Sequence, residues 1–312
     1  MQNINCPVCH ESASRQVWQK TYSGLTVTTV WCPGCGLVYH NPVVEDSDRQ
    51  RLGLTHRQLH TNEGITPRQL ARVERRVERQ RNFLQSAVRP GWRTLEIGCG
   101  LGLLSHWLAQ QGCRVTGLEP DSQQAQYARQ RFGLEVLNSR FEDARLTPGY
   151  DFIAASHVIE HFPEPLAFLA RLRSLAAPGA CLFLETPNIL APKVGPRRLF
   201  SLAHNFYFSP QTLSTALAQT GWQVEKTRIF RRDSFLILAR ADQPRLRPPD
   251  QGHAREVWRA IAQHRRVYYL SLLFLWRKIP LWRRWWMYRY TDFTGPWPPE
   301  GIGAPDSSVE SG

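Results

Sequence analysis

Between residues 93 and 239, short apolar runs alternate with segments whose apolar residues recur every three or four positions. The runs at 93–97, 114–118, 135–137, 150–155 and 180–185 predict strands. The periodic stretches at 102–111, 121–132, the segment ending near Ala176, and 209–220 predict helices. Gly112, Gly133 and Gly221 stand where three of these helices should stop, and Pro178-Gly179 suggests a turn. Asp121 and Ser209-Pro210 are starting signals. Two closing β-rich runs, Gln223–Phe230 and Ser234–Ala239, predict a hairpin. Repeated β–α units followed by a hairpin imply an α/β domain with a sheet that is parallel except for one strand. Upstream, Leu70, Val73, Val77 and Leu84 fall at helical spacing over about 66–88. Arg72, Arg75, Arg76, Arg79 and Arg81 alternate there with Glu74 and Glu78, as on a solvated, ion-paired face of a covering helix. Residues 46–65 have weak periodicity and predict a connecting loop with a short helix.

The stretch Thr94–Asp121 organises the rest. A buried-strand run, Leu95–Ile97, leads through Gly98, Gly100 and Gly102 into a helical segment. A second run, Val115–Leu118, ends in Glu119. Strand, glycine turn, helix, strand and acid form the unit that holds a nucleoside at the carboxyl ends of its strands. Glycines let the backbone come close to a ligand at positive φ. The acid can accept both ribose hydroxyls. A dinucleotide fingerprint needs a small residue at 103, and Leu103 is there instead.

The pattern Glu96-x-Gly98-x-Gly100-x-Gly102, with Glu119 seventeen residues on, resembles motif I of the class I S-adenosylmethionine-dependent methyltransferases. The resemblance covers about 150 residues in register and implies a Rossmann-like seven-stranded sheet and S-adenosylmethionine as cofactor. Around that ligand it implies Glu96, Gly98, Cys99, Gly100, Gly102, Glu119 and Pro120. Glu142 or Asp143 would meet the adenine amino group, and His157 lies near the strand end. Asp151–Pro165 looks like motif IV with its Glu160-His161 pair, and His204–Pro210 resembles a substrate-side stretch of the family. His161 is the first candidate base because it follows the fourth strand at its carboxyl edge; His157 and His204 are the others. Helix capping by Glu160-His161 is the competing reading. Phe206, Tyr207 and Phe208 either wall a pocket or cover the sheet. The motif Asn/Asp-Pro-Pro-Tyr/Phe of amino-methylating nucleic-acid enzymes is not there, which favours a small or lipid-linked acceptor of sugar or isoprenoid type over RNA. A non-catalytic scaffold that binds S-adenosylmethionine is a third reading.

Cys6-x2-Cys9 and Cys32-x2-Cys35 form two close pairs suited to a structural tetrahedral Zn²⁺, with the β-rich Leu25–Trp31 between them, as in a zinc ribbon. His10 and His40 are read as bystanders. Cys99, Cys113 and Cys181 read as small buried hydrophobes. The whole divides into a ribbon at 1–45, a linking segment at 46–89, the methyltransferase domain at 90–241, a basic aromatic helical extension at 242–298 and a polar, disordered tail at 299–312.

Net charge is +13, which points to a polyanionic partner. Much of it lies in Arg255–Tyr290, where tryptophans and tyrosines interleave with Lys and Arg. Three readings stay open for this stretch: an anionic membrane interface, packing on the chain itself, or RNA. No apolar run reaches the roughly 20 residues of a membrane span. The polar N-terminus and seven cysteines predict no signal peptide and a cytoplasmic setting, with a peripheral seat on the inner membrane face under the first reading.

Overall fold

The computed structural model describes residues 3–52, 65–192, 194–230 and 234–278, with side chains as far as residue 270. The aromatic and basic residues from 279 to 290 and the tail at 299–312 lie outside the described residues. Residues Met1–His264 form one compact unit, and a second begins at Arg265.

The central sheet of the first unit has seven strands. In chain order they are β4 (Arg93–Ile97), β5 (Arg114–Leu118), β6 (Glu135–Leu137), β7 (Tyr150–Ser156), β8 (Ala176–Pro187), β10 (Trp222–Ile229) and β11 (Ser234–Ala241). Their spatial order is β10-β11-β8-β7-β4-β5-β6. Neighbouring strands from β6 to β8 pair parallel, and β11 runs antiparallel to both β8 and β10. One reversed strand in an otherwise parallel sheet is what the β–α alternation and the final hairpin require. Successive strands leave β4 in opposite directions, so a crevice opens at the carboxyl ends of β4 and β7.

Strand alternation supplies two cores. Ile153, Ala155, Leu182, Leu184, Phe235 and Ile237 pack on one face with α5 (Pro165–Leu175) and α7 (Pro210–Gln219). Phe152, Ala154, Phe183, Leu236 and Leu238 face the other way, toward α2 (Pro67–Leu84) and α3 (Leu103–Gln110). The helices begin and stop on the expected signals. Thr66 caps α2 through Gln69 N–H, and Asp121 caps α4 (Ser122–Phe132) through Gln123 and Gln124 N–H. Ser209 caps α7 through Thr212 N–H. Gly133 closes α4 at φ 65°.

The chain differs from the sequence reading at Pro178-Gly179. In place of a turn before the fifth strand, β8 begins at Ala176, opposite Tyr150, and the register then jumps to Phe152 opposite Cys181. The extra residues are taken up as an irregularity inside the strand.

The N-terminal ribbon is β1 (Arg15–Tyr22), β2 (Leu25–Trp31) and β3 (Val38–His40), and it does not stand alone. Its sheet gains a fourth strand, β9 (Phe206–Tyr207), from the segment between β8 and α7. The short helix expected after residue 45 is α1 (Asp46–Arg51). A further short helix, α6 (Pro196–Leu199), precedes β9.

After an irregular stretch at 242–250 the extension forms a helix, α8 (Gln251–Lys278). Up to His264 it packs on the ribbon: Ala254, Val257 and Ile261 join Val17, Trp31 and Val38. Trp31 Nε1 donates to the Ala254 carbonyl at 3.0 Å, and the Trp31 and Trp258 rings lie 5.0 Å apart. For these residues the reading as self-packing holds. Within the second unit, Val267 and Leu270 are 53% and 63% exposed. No described helix is long and apolar enough to cross a membrane.

Candidate active site

A cleft of about 870 Å³ opens at the carboxyl ends of β4, β5 and β7. At one end lies the glycine turn. Gly98, Gly100 and Gly102 all have positive φ, at 66°, 55° and 78°. Gly98 and Gly102 are also sterically required. A Cβ on Gly98 would stand 2.8 Å from Val158 Cγ2, and one on Gly102 would stand 2.7 Å from Ala128 Cβ. Glu119 spans the turn, accepting from Gly100 N–H and Asp121 N–H at 2.8 Å each. A carboxylate has about four lone-pair sites, so acceptor capacity remains for ribose hydroxyls. Burial raises its pKa to about 7. Glu96 is also buried and accepts from Ser105 Oγ at 2.5 Å; burial, with the charge of Glu119 adding, raises its pKa to about 8.

Cys99, Pro120 and Glu142 line the same end, whereas Asp143 does not. Glu142 pairs with Arg140 at 3.2 Å, and Arg140 also pairs with Asp46 of α1.

At the other end, β7 runs out into His157 and a 3₁₀ turn, Ile159–His161. His157 has φ 56°, a left-handed conformation that a non-glycine residue adopts at a cost. Its Nδ1 lies 3.3 Å from Glu160 Oε1 and its Nε2 3.8 Å from Glu185 Oε1. Burial and Arg76 disfavour its charge, but the two carboxylates outweigh them and its pKa is raised. Glu160 and Glu185 are held below the usual carboxylate range by His157, against their own burial. Thr186 Oγ1 donates to Glu160 at 3.0 Å; Ser234 Oγ, Ser156 Oγ and Gln80 Nε2 donate to Glu185 at 2.7, 3.1 and 2.5 Å. The His157 ring therefore sits between two buried carboxylates that favour its protonated form.

His161 is arranged differently. Its Nδ1 donates to the Ala203 carbonyl at 2.7 Å, and its ring meets His204 edge-on at 4.8 Å. Burial and the nearby His204 lower its pKa to about 4, so the ring is neutral with its proton on Nδ1. His161 and His204 both line the cleft. Asn205 holds this end together. Its side chain donates to the carbonyls of His161 at 3.1 Å and Val44 at 3.0 Å, and its Oδ1 accepts from Val44 N–H at 3.1 Å.

The aromatics beside His204 do not wall the cleft. Phe206, Tyr207 and Phe208 are buried, with Phe206 against Tyr39 and Tyr207 against His40. Pairing of β9 with β3 turns them into the seam between ribbon and sheet. The cleft instead takes Gln69, Arg72, Arg76 and Gln80 from α2 and Arg49 from α1. None of these stands out as a site residue in the sequence. The i, i+4 spacing of Arg72, Arg76 and Gln80 was the available signal.

The four cysteines converge as their spacing requires. All four Sγ atoms lie within 4.8 Å of one another, with 3.5 Å for Cys6–Cys35 and 3.4 Å for Cys9–Cys32. Tetrahedral Zn–S bonds of about 2.3 Å put sulfurs ~3.8 Å apart, so the set fits Zn²⁺. The two knuckles are alike, each closed by a positive-φ residue: His10 at 60° and Gly36 at 84°. His40 is committed elsewhere, bonded to Thr29 Oγ1 and to the Ser201 carbonyl at 3.0 Å each.

Comparison with known proteins agrees with this architecture. A family model described as a methyltransferase domain matches residues 68–227. The chain belongs to the class I S-adenosylmethionine-dependent methyltransferases. This methyltransferase is 36% identical over 110 residues to a protein of Xanthomonas campestris named ubiquinone biosynthesis O-methyltransferase, covering 32% of this chain and 44% of that one. A protein of the same name from Vibrio vulnificus is 28% identical over 148 residues, covering 42% and 63%. The chain thus spans less than two thirds of the length of these curated relatives. Among solved structures, an S-adenosylmethionine-dependent methyltransferase from Aquifex aeolicus is similar at 20% identity and a TM-score of 0.47, over 57% of this chain and 100% of that one.

Proposed function

We propose that this chain transfers a methyl group from S-adenosylmethionine to a hydroxyl of a small or lipid-linked acceptor bound beside His161. The observation that carries this reading is one continuous cleft with the glycine turn and Glu119 at one end and a neutral, oriented imidazole at the other. The bound cofactor would supply an electrophilic methyl group on a sulfonium. Glu119 would hold the ribose hydroxyls, and Glu142 is the acid of its pair that lines the cleft on the adenine side. His161 would take the acceptor's hydroxyl proton at Nε2, because Nδ1 already donates to Ala203. His157 would position the turn rather than act as base. The curated relatives named as ubiquinone biosynthesis O-methyltransferases favour oxygen and an isoprenoid-type acceptor.

Zn²⁺ on Cys6, Cys9, Cys32 and Cys35 would be structural, since the four thiolates complete its coordination. The basic, aromatic helix beyond Arg265 would seat the enzyme on an anionic membrane surface; the exposed Val267 and Leu270 support this.

The activity is tested by incubating the protein with radiolabelled S-adenosylmethionine and lipid, RNA and polar metabolite extracts. Label is expected in the lipid or polar fraction. Label in RNA alone, or in none of the three, would overturn the reading.

A further inference from the structure

Arg49 is an unusual residue for a short linking helix. It is only 7% exposed. Its Nη1 donates to Asp46 Oδ1 at 2.8 Å. Its Nη2 is buried and has no hydrogen-bond partner. Buried polar groups are nearly always paired, and a guanidinium nitrogen left without a partner is costly. Arg49 lines the active-site cleft, as do Arg72 and Arg76, one helical turn apart on α2. Asp46 is already matched by Arg49 and Arg140, and Glu142, on the adenine side, also pairs with Arg140. Glu96 and Glu119 belong to the glycine turn. Arg76 already acts on the buried Glu185, and the guanidinium nitrogen left to bind a ligand is Nη2 of Arg49.

We propose that Arg49, with Arg72 and Arg76, binds an oxyanion of the methyl acceptor, a phosphate or a carboxylate, so that the substrate is an anionic hydroxyl compound. Planar guanidinium groups suit both anions, since parallel N–H donors match two oxygens. The position also suits the chemistry: Arg49 and His161 line the same cleft, and Asn205 ties Val44, just ahead of α1, to the His161 carbonyl. The inference rests on the reading that the acceptor lies beside His161.

The test is calorimetric titration of the full chain, loaded with S-adenosylhomocysteine, with inorganic phosphate and separately with benzoate. At least one should bind. Arg49→Gln should weaken that binding about tenfold or more, as expected for loss of a charge-assisted hydrogen bond, with S-adenosylhomocysteine affinity unchanged. Arg49→Lys should restore part of the loss. Arg72→Gln, at an exposed position, should weaken binding in the same direction without threatening the fold. Arg75→Gln, on α2 but outside the cleft, should change nothing. A preference for phosphate assigns a phosphorylated acceptor, and a preference for benzoate a carboxylated one. Binding of neither anion, undiminished binding by both Arg49→Gln and Arg72→Gln, or an equal loss in Arg75→Gln would overturn the inference. Failure of S-adenosylhomocysteine itself to bind would count against the methyltransferase reading instead. The same titration on the unloaded chain would then decide the anion site separately.

Discussion

Nδ1 of His161 donates to the main-chain carbonyl of Ala203 at 2.7 Å. This contact, made across the fold from a segment 42 residues away, fixes which nitrogen carries the ring proton and leaves Nε2 as the basic one. It has a consequence for pH. Burial holds the His161 pKa at about 4, below its ordinary 6.5, so the ring is already neutral throughout the neutral range and becomes charged only as pH falls through about 4. The turnover number should therefore be flat between pH 5.5 and 7.5, about two units in all, with no half-point near 6.5. A pH–rate profile on the saturated enzyme checks this. A sigmoidal loss centred near 6.5 would show that an ordinary histidine limits the reaction.

His157 should behave as a structural residue. Its ring stands between Glu160 and Glu185, both nearly inaccessible to solvent. His157→Ala would leave the buried Glu160 without its imidazole partner, while Glu185 keeps Arg79 at 3.8 Å, and should destabilise the fold by about 3 kcal/mol. The pH signs follow from the same group. The lowered pKa values of Glu160 and Glu185 give stability that is present above about pH 4.5 and is lost as pH falls through their folded values. The raised pKa of His157 gives stability that is full below about pH 6.5 and is lost as pH rises through its folded value. Urea unfolding across pH reads both limbs. A His157→Ala variant as stable as the parent would refute the arrangement.

Gly102→Ala should be markedly less stable than the parent. The residue sits at φ 78°, and a methyl group there would meet Ala128 at 2.7 Å and Leu134 at 2.9 Å. Left-handed strain and overpacking together should cost about 2–4 kcal/mol. Thermal unfolding measures this, and a change within 0.5 kcal/mol, about the scatter of ordinary surface substitutions, would contradict it.

Zinc should matter to activity as well as to the ribbon. Gln219 of α7 donates to the carbonyl of Val8, inside the first knuckle, at 2.7 Å, and β9 joins the ribbon sheet two residues after His204. The purified protein is expected to hold one zinc per chain by elemental analysis. Cys9→Ser, or chelation, should lower the melting temperature by on the order of 10 °C and reduce methyl transfer with it. Full activity in metal-free protein would separate the ribbon from the site.

The sequence made the cofactor half of this site legible and the acceptor half much less so. Glycines at positive φ, an acid at a strand end and helices bounded by caps are local features, so the turn from Gly98 to Glu119 is legible in spacing and in the family resemblance. The acceptor half is assembled from residues far apart in the chain. Phe206, Tyr207 and Phe208 have the composition of a pocket wall, but pairing with β3 draws them into the seam with the ribbon. Arg72 and Arg76 have the pattern of a solvated helix face, yet α2 packs so that this face borders the cleft. Arg49 has no pattern of its own, because its burial depends on α1 being anchored through Asp46 to Arg140. The basic aromatic extension has one continuous composition, yet the part up to His264 packs on the ribbon through Trp258 and Ala254.

His161 as the base beside a bound acceptor is the centre of the proposed function. The decisive measurement is the rate of methyl transfer by His161→Gln, using an acceptor recovered from the labelled extract, alongside the variant's affinity for S-adenosylhomocysteine. A fall in turnover of about a hundredfold or more is expected, the usual scale of general-base catalysis, with cofactor affinity unchanged. Turnover equal to that of the parent would contradict it.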